Sequence, residues 1–126
     1  MAHKVLLVED EEIWRLSTAA TLKKAGYDVR TAADALAARA AFEKSPPDAV
    51  VLDINLPDGD GVELLEQFMG ERPGLVGVML TGYATLDKAM AARSLGSVDV
   101  LEKIGGDPAD GGLAADLLDV LKQHLE

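Results

Sequence analysis

The sequence predicts an α/β protein, a doubly wound parallel sheet of five strands with helices on both faces. Three observations carry the prediction. Apolar runs of strand length alternate with helix-length amphipathic segments five times along the 126 residues. Runs such as Val5-Leu6-Leu7-Val8 and Ala49-Val50-Val51-Leu52 are unbroken, as in strands buried on both faces of a sheet. Alternating βα units also require parallel pairing with right-handed crossovers, which places helices on either side.

Strands are expected at residues 4–8, 28–31, 49–52, 75–80 and 98–101, and helices at 12–25, 34–44, 62–69, 86–95 and 113–125. Met1-Ala2-His3-Lys4 runs directly into the first strand, whose apolar stretch is too short for a signal-peptide core. The first helix closes at Gly26, although Ser17, Thr18 and Thr21 interrupt its apolar positions. Asp34 reads as the N-cap of the second helix, and Pro46-Pro47-Asp48 stops that helix before the third strand. Asp58 and Asp60 flank Gly59 ahead of Gly61 and read as turn formers. In the last helix Leu113, Leu117, Leu121 and Leu125 recur every four residues, with Leu118 beside them, giving a stripe that docks on the sheet. The glycine-rich stretch 105–112 is the loosest entry to any helix. No repeat, low-complexity tract or linker divides the chain, so residues 1–126 are expected to form one domain.

Composition narrows the function classes. Twenty-two acids against 12 bases give a formal net charge of −10, the wrong sign for a protein that must neutralise nucleic-acid phosphates. No apolar run approaches the roughly 20 residues of a membrane span. Without cysteine there is neither a disulfide framework nor thiolate chemistry, which fits a cytoplasmic location.

In a doubly wound sheet ligands bind beyond the carboxyl ends of the strands. The residues there are Glu9-Asp10-Glu11 after the first strand and Asp53 at the end of the third, with Asn55 two residues on. Thr81 follows the fourth strand and Lys103 the fifth. Two carboxylates about 4 Å apart repel by roughly 4 kcal/mol at an effective dielectric near 20, so such a cluster calls for a cation or raised pKa values. Oxygen donors without His or Cys point to Mg²⁺. A carboxylate can also be a nucleophile toward phosphorus, with Lys103 and Thr81 the right kinds of group to support the transferred charge. Taken singly, each acid reads as readily as a helix cap; Asp10 or Glu11 could cap the first helix. The joint pattern decides for chemistry.

That pattern resembles the receiver domain of bacterial two-component response regulators. The matching pieces are Leu7-Val8-Glu9-Asp10-Glu11, the stretch 52–61 from Leu52-Asp53 to Gly61, Met79-Leu80-Thr81-Gly82 and Leu101-Glu102-Lys103. The resemblance implies a (βα)5 flavodoxin-like sheet of strand order 2-1-3-4-5. It makes Asp53 the phosphoacceptor. Glu9, Asp10, Asp53 and the backbone carbonyl of Asn55 become Mg²⁺ ligands, while Thr81 and Lys103 become phosphoryl-binding groups. Asn55 and Tyr83 would tune dephosphorylation, the bulk of Tyr83 shielding the acyl phosphate. The implied partners are a sensor histidine kinase or histidine phosphotransfer protein as donor, and a downstream protein or attached effector domain as target. Neither nucleic acid nor membrane is a direct partner. The only chemistry implied is self-catalysed acceptance and hydrolysis of the phosphoryl group.

Two positions depart from the family pattern. Ile104 follows Lys103 where a proline is usual, and a trans loop of different shape is expected there. Val100 stands where the family carries its switch aromatic, three residues before the lysine. These departures keep open an alternative, a receiver-like interaction module without phosphorylation. A phosphatase of the haloacid-dehalogenase type is disfavoured because Asn55 replaces the second acid of its Asp-x-Asp. Neither a dinucleotide-binding glycine turn nor a P-loop is present.

Overall fold

The computed structural model describes residues 2–82, 98–103 and 113–125. The chain runs β1 (Lys4–Val8), α1 (Glu12–Lys24), β2 (Asp28–Ala32), α2 (Ala35–Lys44), β3 (Ala49–Asp53), the two-residue strands β4 (Asn55–Leu56) and β5 (Gly59–Asp60), α3 (Gly61–Glu71), β6 (Val76–Thr81), β7 (Val98–Glu102) and α4 (Leu113–Leu125). The expected helix at 86–95, Tyr83, Ile104 and the stretch 105–112 lie outside the described residues.

Five strands pair in parallel in the order β2-β1-β3-β6-β7. Numbered as the five long strands along the chain, this is the expected 2-1-3-4-5. Every residue of β3 and β6 is buried, whereas the edge strand β2 is not, because only central strands are covered on both faces and both edges. Alternation sends Leu6, Val8, Val50 and Leu52 to one face, where they pack with Phe42 of α2 and Leu65 and Phe68 of α3. Val5, Leu7, Val51, Val78 and Leu80 face the other way, toward Trp14 and Leu22 of α1 and Leu117 and Leu121 of α4.

Helix boundaries follow local chemistry. Gly26 takes φ 101°, and the bonds from Gly26 N to the Lys23 carbonyl and from Tyr27 N to the Leu22 carbonyl form a Schellman stop. Asp34 caps α2 by accepting from Ala37 N at 2.7 Å. The interrupted face of α1 buries Trp14, Thr18, Ala19 and Leu22, leaving Ile13 and Leu16 about three-fifths exposed at 62% and 60%.

The loop after β3 departs from expectation. Asp58 and Asp60 do more than turn the chain. Asp60 accepts from Val62 N at 2.8 Å and caps α3. Asp58 reaches across to α2, its two carboxylate oxygens accepting from Ala35 N at 2.7 Å and Leu36 N at 3.0 Å. Both backbone bonds hold the Asp58 carboxyl below its ordinary pKa, first that from Ala35 and then that from Leu36. The small β4–β5 hairpin thus ties the end of β3 to two helices.

Candidate functional site

Register places the candidate residues on one edge of the sheet. Val8 pairs with Leu52, so Glu9 emerges beside Asp53; Asp53 pairs with Leu80, so Thr81 lies one step beyond it. Thr81 pairs with Glu102, and its carbonyl accepts from Lys103 N at 2.7 Å, which carries Lys103 over the same edge.

There the acids meet. One carboxylate oxygen from each of Glu9, Asp10, Glu11 and Asp53 lies within 4.8 Å of the others. Lys103 Nζ sits among them, 2.8 Å from Asp53 Oδ2 and 3.4 Å from Glu11 Oε1, and in direct contact with Glu9 Oε1. Asp53 Oδ1 accepts from Asn55 N at 3.2 Å, so a rigid strand end and the following turn both orient its carboxylate. Thr81 is fully buried and donates its hydroxyl to the Gly82 carbonyl at 3.0 Å.

Burial sets the electrostatics. The Glu9 side chain is fully enclosed, and desolvation raises its pKa from 4.5 to about 7, against the opposing pull of the Lys103 hydrogen bond and charge. Lys103 shows the converse balance. Burial disfavours its ammonium, but hydrogen bonds and charges from Asp53 and Glu9 outweigh that and hold its pKa above the usual lysine value. Among the described residues the pocket sets the Lys103 ammonium against four clustered carboxyl groups.

The donor set fits a hard divalent cation: clustered carboxylate oxygens, with neither imidazole nor thiolate among them. Glu11 is part of the cluster, whereas sequence reasoning gave ligand roles to Glu9, Asp10, Asp53 and Asn55. Glu11 does stand at the N-cap of α1, but its side chain makes no capping bond. Two further residues escaped the sequence reading. Arg15 donates Nη1 to the carbonyls of Glu9 and Asp10, at 3.0 and 3.3 Å, and so pins the acid loop. The Trp14 ring centroid lies 5.1 Å from Lys103 Nζ. Position alone, one turn into the helix after the acids, could have suggested Arg15; the Trp14 contact needs the topology. A further close fit concerns Gly61, where a Cβ would stand 2.1 Å from the Asp53 carbonyl oxygen.

A sequence model of the response regulator receiver domain matches residues 5–109. The chain belongs to this family. It is thus a receiver domain of the two-component response regulators, a class of modules that typically signal without an enzymatic activity of their own. A protein-glutamate methylesterase/protein-glutamine glutaminase of Anaeromyxobacter dehalogenans is 38% identical over 82% of this chain and 30% of its own length. The photosynthetic apparatus regulatory protein RegA of Cereibacter sphaeroides is 35% identical, over 86% of this chain and 56% of its own. Among solved structures, a CheY-like receiver domain protein of Methanospirillum hungatei superposes with a TM-score of 0.85 at 32% identity, covering 99% of this chain and 94% of that one. The chain therefore spans from under a third to just over half of these two curated relatives. Receiver domains bind Mg²⁺ at an acidic pocket and interact with histidine kinases and attached effector domains.

Proposed function

We propose that this receiver domain takes a phosphoryl group on Asp53, in a magnesium-dependent reaction, from a phosphohistidine of a sensor histidine kinase or histidine phosphotransfer protein. The observation that carries the reading is the Lys103 ammonium 2.8 Å from Asp53 Oδ2 within a ring of acids. A carboxylate oxygen of Asp53 attacks the phosphorus, the donor's phosphorus–nitrogen bond breaks, and the electron pair leaves with the imidazole. Lys103 neutralises part of the added charge of about −1.5 to −2, and the Thr81 hydroxyl reorients toward a phosphoryl oxygen.

Glu9, Asp10, Asp53 and the Asn55 carbonyl are the ligands this reading gives to Mg²⁺, with Glu11 at the margin. Once bound, the ion supplies charge neutralisation across the carboxylates and the phosphoryl oxygens. Hydrolysis returns the free carboxylate, and Asn55, exposed at the pocket rim, tunes it together with Tyr83. We extend the domain over residues 1–126, because Leu113, Leu117 and Leu121 of α4 share the core of β1 and β6. On this reading the domain works in the cytoplasm and passes its state to a downstream protein or an attached effector domain. Val100 packs against the core cluster of α2 and α3 rather than supplying an aromatic switch, so the output path leaves the pocket by another route.

The test is intact mass after incubation with a small phosphodonor. One phosphoryl group should be gained with Mg²⁺ and none once it is chelated. Equal labelling in both conditions would set the metal role aside; labelling in neither would favour the interaction module that docks partners unphosphorylated.

A further inference from the structure

Among the described residues four groups surround the Lys103 ammonium, and three of them are acids. The fourth is the face of the Trp14 indole, its centroid 5.1 Å from Nζ, within the roughly 6 Å at which a cation and an aromatic face attract. Tryptophan is the strongest aromatic partner for a cation, and the attraction grows when water is excluded. Water is excluded here: the Lys103 side chain is 8% exposed and Trp14 only 4%. The platform is rigid, since Trp14 belongs to the same buried cluster as Leu7 and Leu80, the strand residues beneath the pocket.

A lysine head needs such a platform. Its compact ammonium sits on a flexible four-carbon stem and is strongly hydrated when free. One of its carboxylate partners, Glu11, is 60% exposed and offers a path outward to solvent. The indole closes one side of the head from within the core, next to the contacts that set Nζ beside Asp53 and Glu9. We infer that Trp14 is a positioning residue for phosphoryl transfer, its indole face holding the Lys103 ammonium at the acceptor carboxylate. This rests on Asp53 being the acceptor. A tryptophan that merely fills the core would also destabilise the fold when shortened, but it would do so regardless of what stands at 103.

A double-mutant cycle on the full chain separates the two cases. The proteins are native, Trp14→Leu, Lys103→Met and the double variant, with Trp14→Phe as the conservative rescue. Trp14→Leu should slow labelling by acetyl phosphate roughly three- to thirtyfold, the span of a desolvated cation–π contact. In the Lys103→Met background the same change should have almost no further effect, and Trp14→Phe should recover most of the loss. Equal slowing in both backgrounds overturns the proposal. A second readout needs no phosphorylation: urea unfolding of the same four proteins without donor or Mg²⁺. There the folding constants should couple by roughly threefold or more, while strictly additive losses overturn the inference. If the native chain takes up no phosphoryl group, the acceptor reading fails and the unfolding cycle still decides on Trp14. Should Trp14→Leu not fold, Trp14→Met carries the same comparison.

Discussion

Lys103 is enclosed by Glu9, Asp53, Glu11 and the Trp14 ring, so its shape matters as much as its charge. Arginine at that position keeps the charge but demands the width of a planar fork. Lys103→Arg should still accept phosphoryl groups yet fail to switch. Partner affinity of the phosphorylated variant checks this, and native affinity would refute the role. Glu9 yields a prediction in pH. Its pKa is about 7 in the folded chain against 4.5 ordinarily, so between those values the folded chain binds more protons than the unfolded one. Stability in metal-free buffer therefore falls as pH rises through that window, by about 3 kcal/mol if the whole shift is expressed. Urea unfolding on either side of the window measures the slope. Glu9→Gln should flatten it and be the more stable protein above it; an unchanged slope would assign the pH dependence to other groups. The sequence placed Lys103 at the pocket and called for a cation or raised pKa values, but there Glu9 and Asp10 are simply adjacent acids. Which of them is sealed and which exposed depends on the alternation of β1 and on the arrival of Lys103 from β7.

The elements themselves were largely readable because their signals are local. β1 and α4 fall where the apolar runs and the leucine stripe put them, and Gly26 and Asp34 act as the stop and cap their chemistry suggests. Two-residue strands carry no periodicity, so the β4–β5 hairpin was invisible, and with it the reach of Asp58 to α2. Asp58→Ala should lower the melting temperature near neutral pH by freeing two backbone N–H groups at the start of α2. Because the Asp58 carboxyl is held below 3.8, its stabilisation is present above that value and fades as pH falls through the lowered pKa. Native and variant melts should converge in that acid range, and a constant gap would contradict the clamp. Gly61 governs the same loop from inside. A methyl there would meet the Asp53 carbonyl oxygen at 2.1 Å and Ile54 Cα at 2.9 Å, both backbone. Gly61→Ala should cost about 3 kcal/mol or more and depress labelling of Asp53 beyond what the lost stability explains. A variant with native melting and native labelling rate would show that the loop can give way.

Across the whole molecule the net charge is −10, and four of the 22 acids meet at the mouth of the sheet. Fold and site were legible together because the doubly wound topology brings every strand's carboxyl end to one edge, so residues far apart in sequence could be assigned to one pocket. What the topology does not specify is what lies behind that edge, and Trp14 and Arg15 belong to that second layer. Mg²⁺ binding to the folded chain alone should stabilise it by RT ln(1 + [L]/Kd), about 2.7 kcal/mol at a hundredfold excess over Kd. Superimposed melts with and without the ion would count against the site, and Asp10→Ala should melt above the native chain in metal-free buffer. The most direct test of the account is the labelling of Asp53→Asn. Asp53 ends a fully buried strand and faces Lys103, whereas Asp58 and Asp60 are committed to capping α2 and α3. Incubated with acetyl phosphate and Mg²⁺, the native chain should gain one phosphoryl group. The variant should keep the fold by circular dichroism and gain none. Stoichiometric labelling of Asp53→Asn would place the acceptor elsewhere and contradict the mechanism.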